Sequence, residues 1–311
     1  MTINELKSYL SRFHIKPDKR LGQNFLLSET VLDQIVAAAE LKPADAVLEI
    51  GPGLGFLTRR LADAAGEVFA VEKDRGLVKV LKKIFKNKKN IKIIYGDVLR
   101  LLPELVSLAE SRRVEGLPFD SSADGRIHSG SKRHDFKVVA NIPYYLTGKI
   151  LQDFLSAEQK PALMVLLLQK EVAERVVAKP GDMSMLAVSV QFYSDPEIID
   201  IVPKDNFYPI PEVDSAIVRM RVLARPRFDV NEKKFFQLVK IGFANKRKQL
   251  HNNLQAMAII LLPSPGEGRV AVGQERLNYK DILSSLGLNP LCRAQDLSLS
   301  DWEGLYRRLV V

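Results

Sequence analysis

The stretch AVLEIGPGLGFLTRRLADAAGEVFAVEKD, residues 46–74, decides the fold. Its first part, AVLEIG (46–51), is a short and nearly continuous apolar run that reads as a buried strand. Gly51, Gly53 and Gly55 then let the backbone turn tightly and let a ligand approach it closely. GFLTRRLADAA (55–65) has helical spacing, and EVFAVEKD (67–74) is a second strand. Strand, glycine turn, helix and strand in that order form a βαβ unit with parallel strands.

The same alternation continues outward. RGLVKVLKKIF (75–85) reads as a helix, and IKIIYGDVL (91–99), KVVANIPY (137–144) and PALMVLLLQ (161–169) as further strands. Short Val/Ile/Leu runs separated by helical periods indicate a parallel sheet covered on both faces, a doubly wound α/β domain. EIIDIVP and SAIVRMRV add late strands. Upstream, Thr2 and Glu5 form a capping box for a short helix.

Beyond about residue 225 the pattern turns helical. NEKKFFQLVKIGFANKRKQLHNNLQAM places Phe236, Val239, Phe243, Leu250 and Leu254 near one face of a helix. LNYKDILSSLGL and SLSDWEGLYRRLV read as more helices. The expected division is an α/β domain over 1–224 and a small helical domain over 225–311. On the first of these helices, Lys246, Arg247 and Lys248 would fan across the surface, with Arg247 and His251 on one side, as a phosphate-binding face. Two polar stretches stand apart: the later part of 107–135 reads as a loop, its residues 119–134 lacking the apolar content to pack, and 263–275 reads as a second loop. His128 and His134 in the first are solvated residues, and no metal site is expected.

Composition narrows the classes of function. No apolar run reaches the roughly 18 residues of a membrane span; the longest, ALMVLLL at 162–168, suits a strand. Residues 1–20 lack the apolar core of a signal peptide. The single cysteine, Cys292, excludes an internal disulfide and a cysteine-based zinc site, which fits a reducing cytoplasm. Lysine and arginine outnumber acids 46 to 37, a balance consistent with a polyanionic partner.

Ligands of an open α/β sheet bind outside the carboxyl ends of its strands. The dinucleotide fingerprint would need a third glycine at 56, where this chain has Phe56, so the usual pyrophosphate turn is absent. Glu72 ends the second strand, 17 residues after Gly55, where it can accept from ribose hydroxyls. Asp97 after the third strand can accept from an adenine amino group, and Asn141 follows the fourth. Together they describe a site for an adenosine-bearing ligand without a pyrophosphate, and S-adenosylmethionine fits.

The tip of the fourth strand, NIPY (141–144), has a chemical reading of its own. An adenine amino nitrogen is a poor nucleophile because its lone pair is delocalised into the ring. Acceptors on its two N–H groups favour a pyramidal nitrogen with a localised pair. The Asn141 side-chain oxygen can be one acceptor and the Ile142 carbonyl the other, with Pro143 stiffening the turn and contributing no donor. Tyr144 offers a flat face for an extruded base. Positioning and electrostatics then suffice, with no strong general base.

With NIPY the chain resembles the ribosomal RNA adenine dimethyltransferases that modify the small subunit, the kasugamycin-sensitivity methyltransferases. LGQNFL (21–26), EIGPGLGFLT, the block at 167–193, FYPIPEVDSAIVRM (207–220) and FANKRKQLHNNL (243–254) are similar to family motifs in the same order. The resemblance implies a class I, Rossmann-like methyltransferase fold whose last strand runs antiparallel. It implies cofactor contacts at Asn24, Leu26, Gly51, Gly53, Glu72, Asp97 and Asn141, and catalytic roles for Asn141, Pro143, Tyr144 and Phe207, with Phe207 stacking on the target adenine opposite Tyr144. Without the family, Phe207 reads as a core aromatic, and Gln23 and Asn24 as loop polars. The implied reaction gives N6,N6-dimethyladenosine at two adjacent adenosines near the 3' end of small-subunit ribosomal RNA. The implied partners are that RNA and the assembling small subunit, met by a cytoplasmic protein that is monomeric when free.

Three alternatives stand beside this. A large-subunit ribosomal RNA adenine methyltransferase of the resistance type would share NIPY, but FYPIPEVDSAIVRM and the RAQDLSLSDW ending favour the small-subunit family. A non-catalytic ribosome-assembly factor would not need Glu72, Asp97 and NIPY intact. A nicotinamide-dependent dehydrogenase would need the missing third glycine.

Overall fold

The computed structural model describes residues 3–13, 15, 17, 22–101, 136–255 and 278–310. Thr2 of the expected capping box, both histidines of the first polar stretch and the whole of the two expected loops lie outside the described residues.

The strands are β1 (Phe25–Leu26), β2 (Ala46–Ile50), β3 (Glu67–Glu72), β4 (Ile91–Tyr95), β5 (Phe136–Asn141), β6 (Leu163–Gln169), β7 (Ser194–Val202), β8 (Phe207–Tyr208) and β9 (Ser215–Val222). Seven of them form one sheet in the order β4-β3-β2-β5-β6-β9-β7, and β1 pairs with β8 in a small second sheet. The pairs among β4, β3, β2, β5 and β6 are parallel. Strand β9, the last, runs antiparallel to β6 and to β7. This is the class I methyltransferase sheet, with its one reversed strand.

From β2 the chain builds outward through β3 and β4, then returns to lay β5 on the other side of β2. That reversal opens a crevice at the carboxyl ends of β2 and β5. The register then sets what faces it. Ile50 lies level with Val71 on one side and Ala140 on the other. The next residues along, Gly51, Glu72 and Asn141, therefore come level at the crevice.

Helices cover the sheet. Among them are α1 (Ile3–Arg12), α2 (Glu29–Ala38), α3 (Phe56–Ala64) and α4 (Arg75–Ile84). Ser28 caps α2 by accepting from Val31 N, and Asp74 caps α4 by accepting from Gly76 N and Leu77 N. Each such cap is worth about 1 kcal/mol. Val47, Val68 and Val139 pack with Ile35 of α2 and Leu61 of α3 in one core, each 1% exposed or less.

The chain divides into two compact units, Met1–Ala173 with Tyr193–Arg225, and Glu174–Phe192 with Pro226–Val311. Residues 174–192, inside the first expected domain, thus group with the helical unit. Within that unit the Phe192 ring stacks on Phe235, centroids 5.0 Å apart.

The long helix expected from residue 231 is broken. One helix runs Glu232–Gly242 and another Leu250–Leu254, and Lys246, Arg247 and Lys248 lie exposed in the turn between them. Gly242 is pressed against Trp302, so that a Cβ there would lie 2.3 Å from the indole. The Asn253 Nδ2 donates to the carbonyls of Gly242 and Asn245 at 2.6 and 3.2 Å and ties the turn down. His251 is buried with Nδ1 3.1 Å from the Pro290 carbonyl oxygen, so it shares no exposed face with Arg247.

Candidate functional site

The crevice is a cavity walled by the segment 22–26, the β2 turn, the ends of β3 and β5, and residues 96–98. Asn24, Leu26, Gly51, Gly53, Glu72, Asp97, Asn141, Pro143 and Tyr144 all line it. Four separate strand ends and one N-terminal segment supply them.

The glycine turn is shaped by its backbone. Gly51, Gly53 and Gly55 all have positive φ, at 68°, 58° and 82°. A Cβ at Gly55 would lie 2.6 Å from the Phe85 ring, so this glycine lets α3 and α4 approach each other. At Gly51 the nearest atom to such a Cβ would be the Asn141 carbonyl oxygen at 3.8 Å, which leaves the space above it open to a ligand.

Glu72 is 7% exposed, and its two oxygens are held by backbone. Oε2 accepts from Gly53 N at 3.1 Å and Oε1 from Asp74 N at 2.9 Å. Burial raises its pKa, opposed by the amides of Asp74, Gly53 and Lys73. The Glu72 carboxylate thereby joins the tip of β3 to the glycine turn and keeps acceptor capacity for a ligand. Asp97 is more open. Burial pushes its pKa up, but the Lys73 ammonium at 3.0 Å, the Leu99 amide and Arg100 together hold it below its ordinary value. It stays ionised as an acceptor.

Asn141 ends β5. Its Nδ2 donates to the Asn24 carbonyl at 3.0 Å, which fixes the amide's orientation and leaves Oδ1 without a partner among the described residues. The Ile142 carbonyl also accepts nothing there, whereas the Pro143 carbonyl is taken by Leu146 N at 2.9 Å in the turn that follows. Two carbonyl-type acceptors thus sit on adjacent residues at the cavity. The Tyr144 ring is half-buried and steered by its hydroxyl, 3.0 Å from Ser215 Oγ, while Tyr145 beside it is 59% exposed.

Phe207 is the expected site residue that the structure does not bring to the cavity. Its ring is 1% exposed within the core that includes Leu26, Leu167 and Ile217. The reason is backbone pairing: Phe207 lies opposite Leu26 in the β1–β8 ladder, and that register turns the ring inward. In this structure the ring packs in the core beneath the strand that carries Leu26 and does not face Tyr144 across the cavity.

Two lining residues escaped the sequence reading. Gln23 Nε2 donates to Asp74 Oδ2 at 3.1 Å and anchors the N-terminal segment to α4. Glu49 sits in the middle of β2, 1% exposed, with Oε2 lacking a partner among the described residues. A lone acid in an apolar strand, two residues before a glycine turn, was the available signal. Burial pushes its pKa up to about 8; the Thr58 hydroxyl, short of full hydrogen-bond geometry, offsets part of this, and Glu72 adds to it. Between the ordinary value of 4.5 and about 8, the folded protein keeps a proton that the unfolded chain releases. That contribution is intact below the lower value and is lost as the pH rises toward the upper one. Wild-type stability relative to Glu49→Gln should therefore fall across this window, by up to about 1.4 kcal/mol per pH unit. Urea titrations of both proteins at several pH values check this; parallel pH profiles would mean that Glu49 ionises as a solvated acid does. Glu72 is present in both proteins and cancels.

The sequence profile of the family described as Ribosomal RNA adenine dimethylase matches residues 15–260. The Ribosomal RNA small subunit methyltransferase A of Pelotomaculum thermopropionicum is 40% identical over 303 residues, covering 96% of this chain and 94% of that protein. The protein of the same name from Nostoc sp. is 40% identical over 309 residues, covering 96% and 99%. The crystal structure of the 23S rRNA methyltransferase ErmE superposes with a TM-score of 0.64 at 25% identity, covering 92% of this chain and 99% of that one. A dimethyladenosine transferase from Plasmodium falciparum shares the fold, with a TM-score of 0.67 at 24% identity over 91% and 96%.

Proposed function

The chain belongs to the ribosomal RNA adenine dimethylase family, and we propose that it dimethylates the N6 amino groups of two adjacent adenosines near the 3' end of small-subunit ribosomal RNA. The methyl donor is S-adenosylmethionine, which supplies an activated methyl group on a sulfonium. The cavity suits such a ligand on two counts. Gly51 leaves open space where a side chain would intrude, and the lining residue Glu49 has a buried carboxyl oxygen with no partner among the described residues. In this reading Glu72 accepts from the ribose, Asp97 from the adenine amino group, and Asn24, Leu26, Gly51 and Gly53 frame the remainder.

The observation that carries the reading is the orientation of Asn141. Because Nδ2 is committed to the Asn24 carbonyl, Oδ1 is presented as a fixed acceptor beside the free Ile142 carbonyl. These two oxygens accept from the N–H groups of the target amine and localise its lone pair toward the methyl. Tyr144 supports the flipped base, with Ser215 holding the ring and Pro143 setting the turn. Fixed acceptors of this kind do not reorganise during the reaction, which is where their advantage over water lies.

The likeness to the small-subunit enzymes at 40% favours that substrate over the large-subunit one. No helix of the described residues is long and apolar enough to cross a membrane. We place the protein in the cytoplasm, monomeric when free, acting on the assembling small subunit, with the exposed Lys246–Lys248 turn of the helical unit contributing phosphate contacts. The test is incubation with labelled S-adenosylmethionine and small subunits lacking the modification, followed by mapping of the methylated nucleotides. Two adjacent dimethyladenosines near the 3' end are expected. Label confined to large-subunit RNA, or no transfer, overturns the assignment.

A further inference from the structure

The net charge of the chain is concentrated in one place. Residues 75–92, RGLVKVLKKIFKNKKNIK, hold eight of the 46 basic residues and none of the 37 acids, so that without them a chain of charge +9 would carry only +1. The structure turns this run outward. Helix α4 buries Leu77, Val78, Val80 and Leu81 against the sheet. Lys79, Lys82, Lys83, Lys86, Lys88 and Lys89 are all exposed, on the opposite face and in the turn that follows.

Some of these charges have occupations. Lys88 pairs with Asp63 at 2.9 Å, Lys92 with Glu67 at 3.1 Å, and the Lys83 ammonium lies 5.9 Å from the Phe13 ring centroid. Lys79, Lys82, Lys86 and Lys89 make no ion pair among the described residues. Residues three or four apart on a helix rise about 5 Å, a spacing at which successive lysines can meet successive phosphates. A stripe of unneutralised like charge is costly to hold together unless a polyanion covers it.

The stripe also starts at the site. Lys73 and Leu77 line the cavity, so α4 begins at its rim. There Arg75 Nε donates to the Tyr95 hydroxyl at 2.9 Å with the guanidinium 5.2 Å from the ring centroid, and Tyr95, 48% exposed, ends the edge strand β4 level with Glu72. A cation and a flat ring at the rim, followed by a line of lysines, match a nucleic-acid strand leaving the site.

We infer that the outward face of α4 and the turn after it form the main phosphate-docking surface of the first unit, holding the RNA next to the adenines being modified. The inference rests on the function proposed above. It assigns register-holding contacts to the methyltransferase unit itself, apart from the Lys246–Lys248 turn of the helical unit.

The test compares wild type with Lys79→Gln/Lys82→Gln/Lys86→Gln/Lys89→Gln. Glutamine preserves helix propensity and removes charge. Affinity for an unmodified small-subunit ribosomal RNA transcript is measured across roughly 50–200 mM salt. The slope of log affinity against log salt should flatten by about 3, from a loss of about 0.7–0.9 per phosphate contact, and affinity at the low-salt end should fall tenfold or more. S-adenosylmethionine affinity should not move, and the thermal midpoint should not fall. If the quadruple variant folds poorly, the pairs Lys79→Gln/Lys82→Gln and Lys86→Gln/Lys89→Gln each report half the change. An active wild type with an unchanged slope in the variants overturns this surface alone. A wild type that methylates no ribosomal RNA overturns the proposed function, and this surface with it. Loss of binding to anionic phospholipid vesicles with the RNA slope unchanged overturns the inference in favour of a membrane-facing role.

Discussion

Asn141→Ala lowers methyl transfer about 10²–10³-fold while the protein keeps its fold. The side chain's one hydrogen bond among the described residues, Nδ2 to the Asn24 carbonyl at 3.0 Å, sits at a half-buried position where water can replace the lost partner. Stability therefore falls by only about 1 kcal/mol. The rate suffers more, because Oδ1 is one of two acceptors that shape the target amine, and alanine leaves only the Ile142 carbonyl. Single-turnover methylation with saturating cofactor isolates this effect from any loss of cofactor binding, which is measured separately by titration. Near-normal turnover in a folded Asn141→Ala protein would sink the acceptor mechanism.

Phe207→Ala has the largest expected effect on stability. Removing a fully buried phenylalanine typically costs about 3–5 kcal/mol, and the ring is 1% exposed in the main core. For a unit of this size the thermal midpoint should drop on the order of 10 °C. The loss reaches the site as well, because β8 holds β1 in register through Leu26, two residues after Asn24, whose carbonyl orients Asn141. Phe207→Leu should recover most of both stability and activity. A stacking ring would behave differently: Phe207→Ala would leave the midpoint unchanged and weaken RNA binding by about 1–3 kcal/mol. An unchanged midpoint is thus the result that would return Phe207 to the target base.

The difference between these two residues shows what kind of signal a sequence carries. Asn141 stands at the end of an apolar run, next to a proline and two tyrosines, and a polar amide at a strand tip has few roles other than a functional one. Phe207 stands in an irregular segment, where the direction of a ring depends on which strand pairs with it. That partner, β1, lies some 180 residues earlier in the chain. Glu49 gives a third case. It was read as part of a strand, and only the burial of that strand between β3 and β5 makes its carboxyl a group with a pKa of about 8.

Local patterns alone determined the βαβ alternation, the glycine turn, the acids at successive strand ends and the NIPY tip, because strand burial and turn chemistry depend on near neighbours. The charge run at 75–92 was equally visible, but its outward face and its start at the cavity rim come from the packing of α4 on the sheet. The register that brings Gly51, Glu72 and Asn141 level, the inward turn of Phe207 and the break after Gly242 were decided by the tertiary structure. Each depends on a partner outside the local pattern: β5 beside β2, β1 beside β8, and Asn253, whose Nδ2 donates to the Gly242 carbonyl at 2.6 Å. Helical periodicity runs straight through residue 242 because it registers only which residues are apolar, whereas the Gly242 and Asn245 carbonyls are taken by the Asn253 side chain from the next helix.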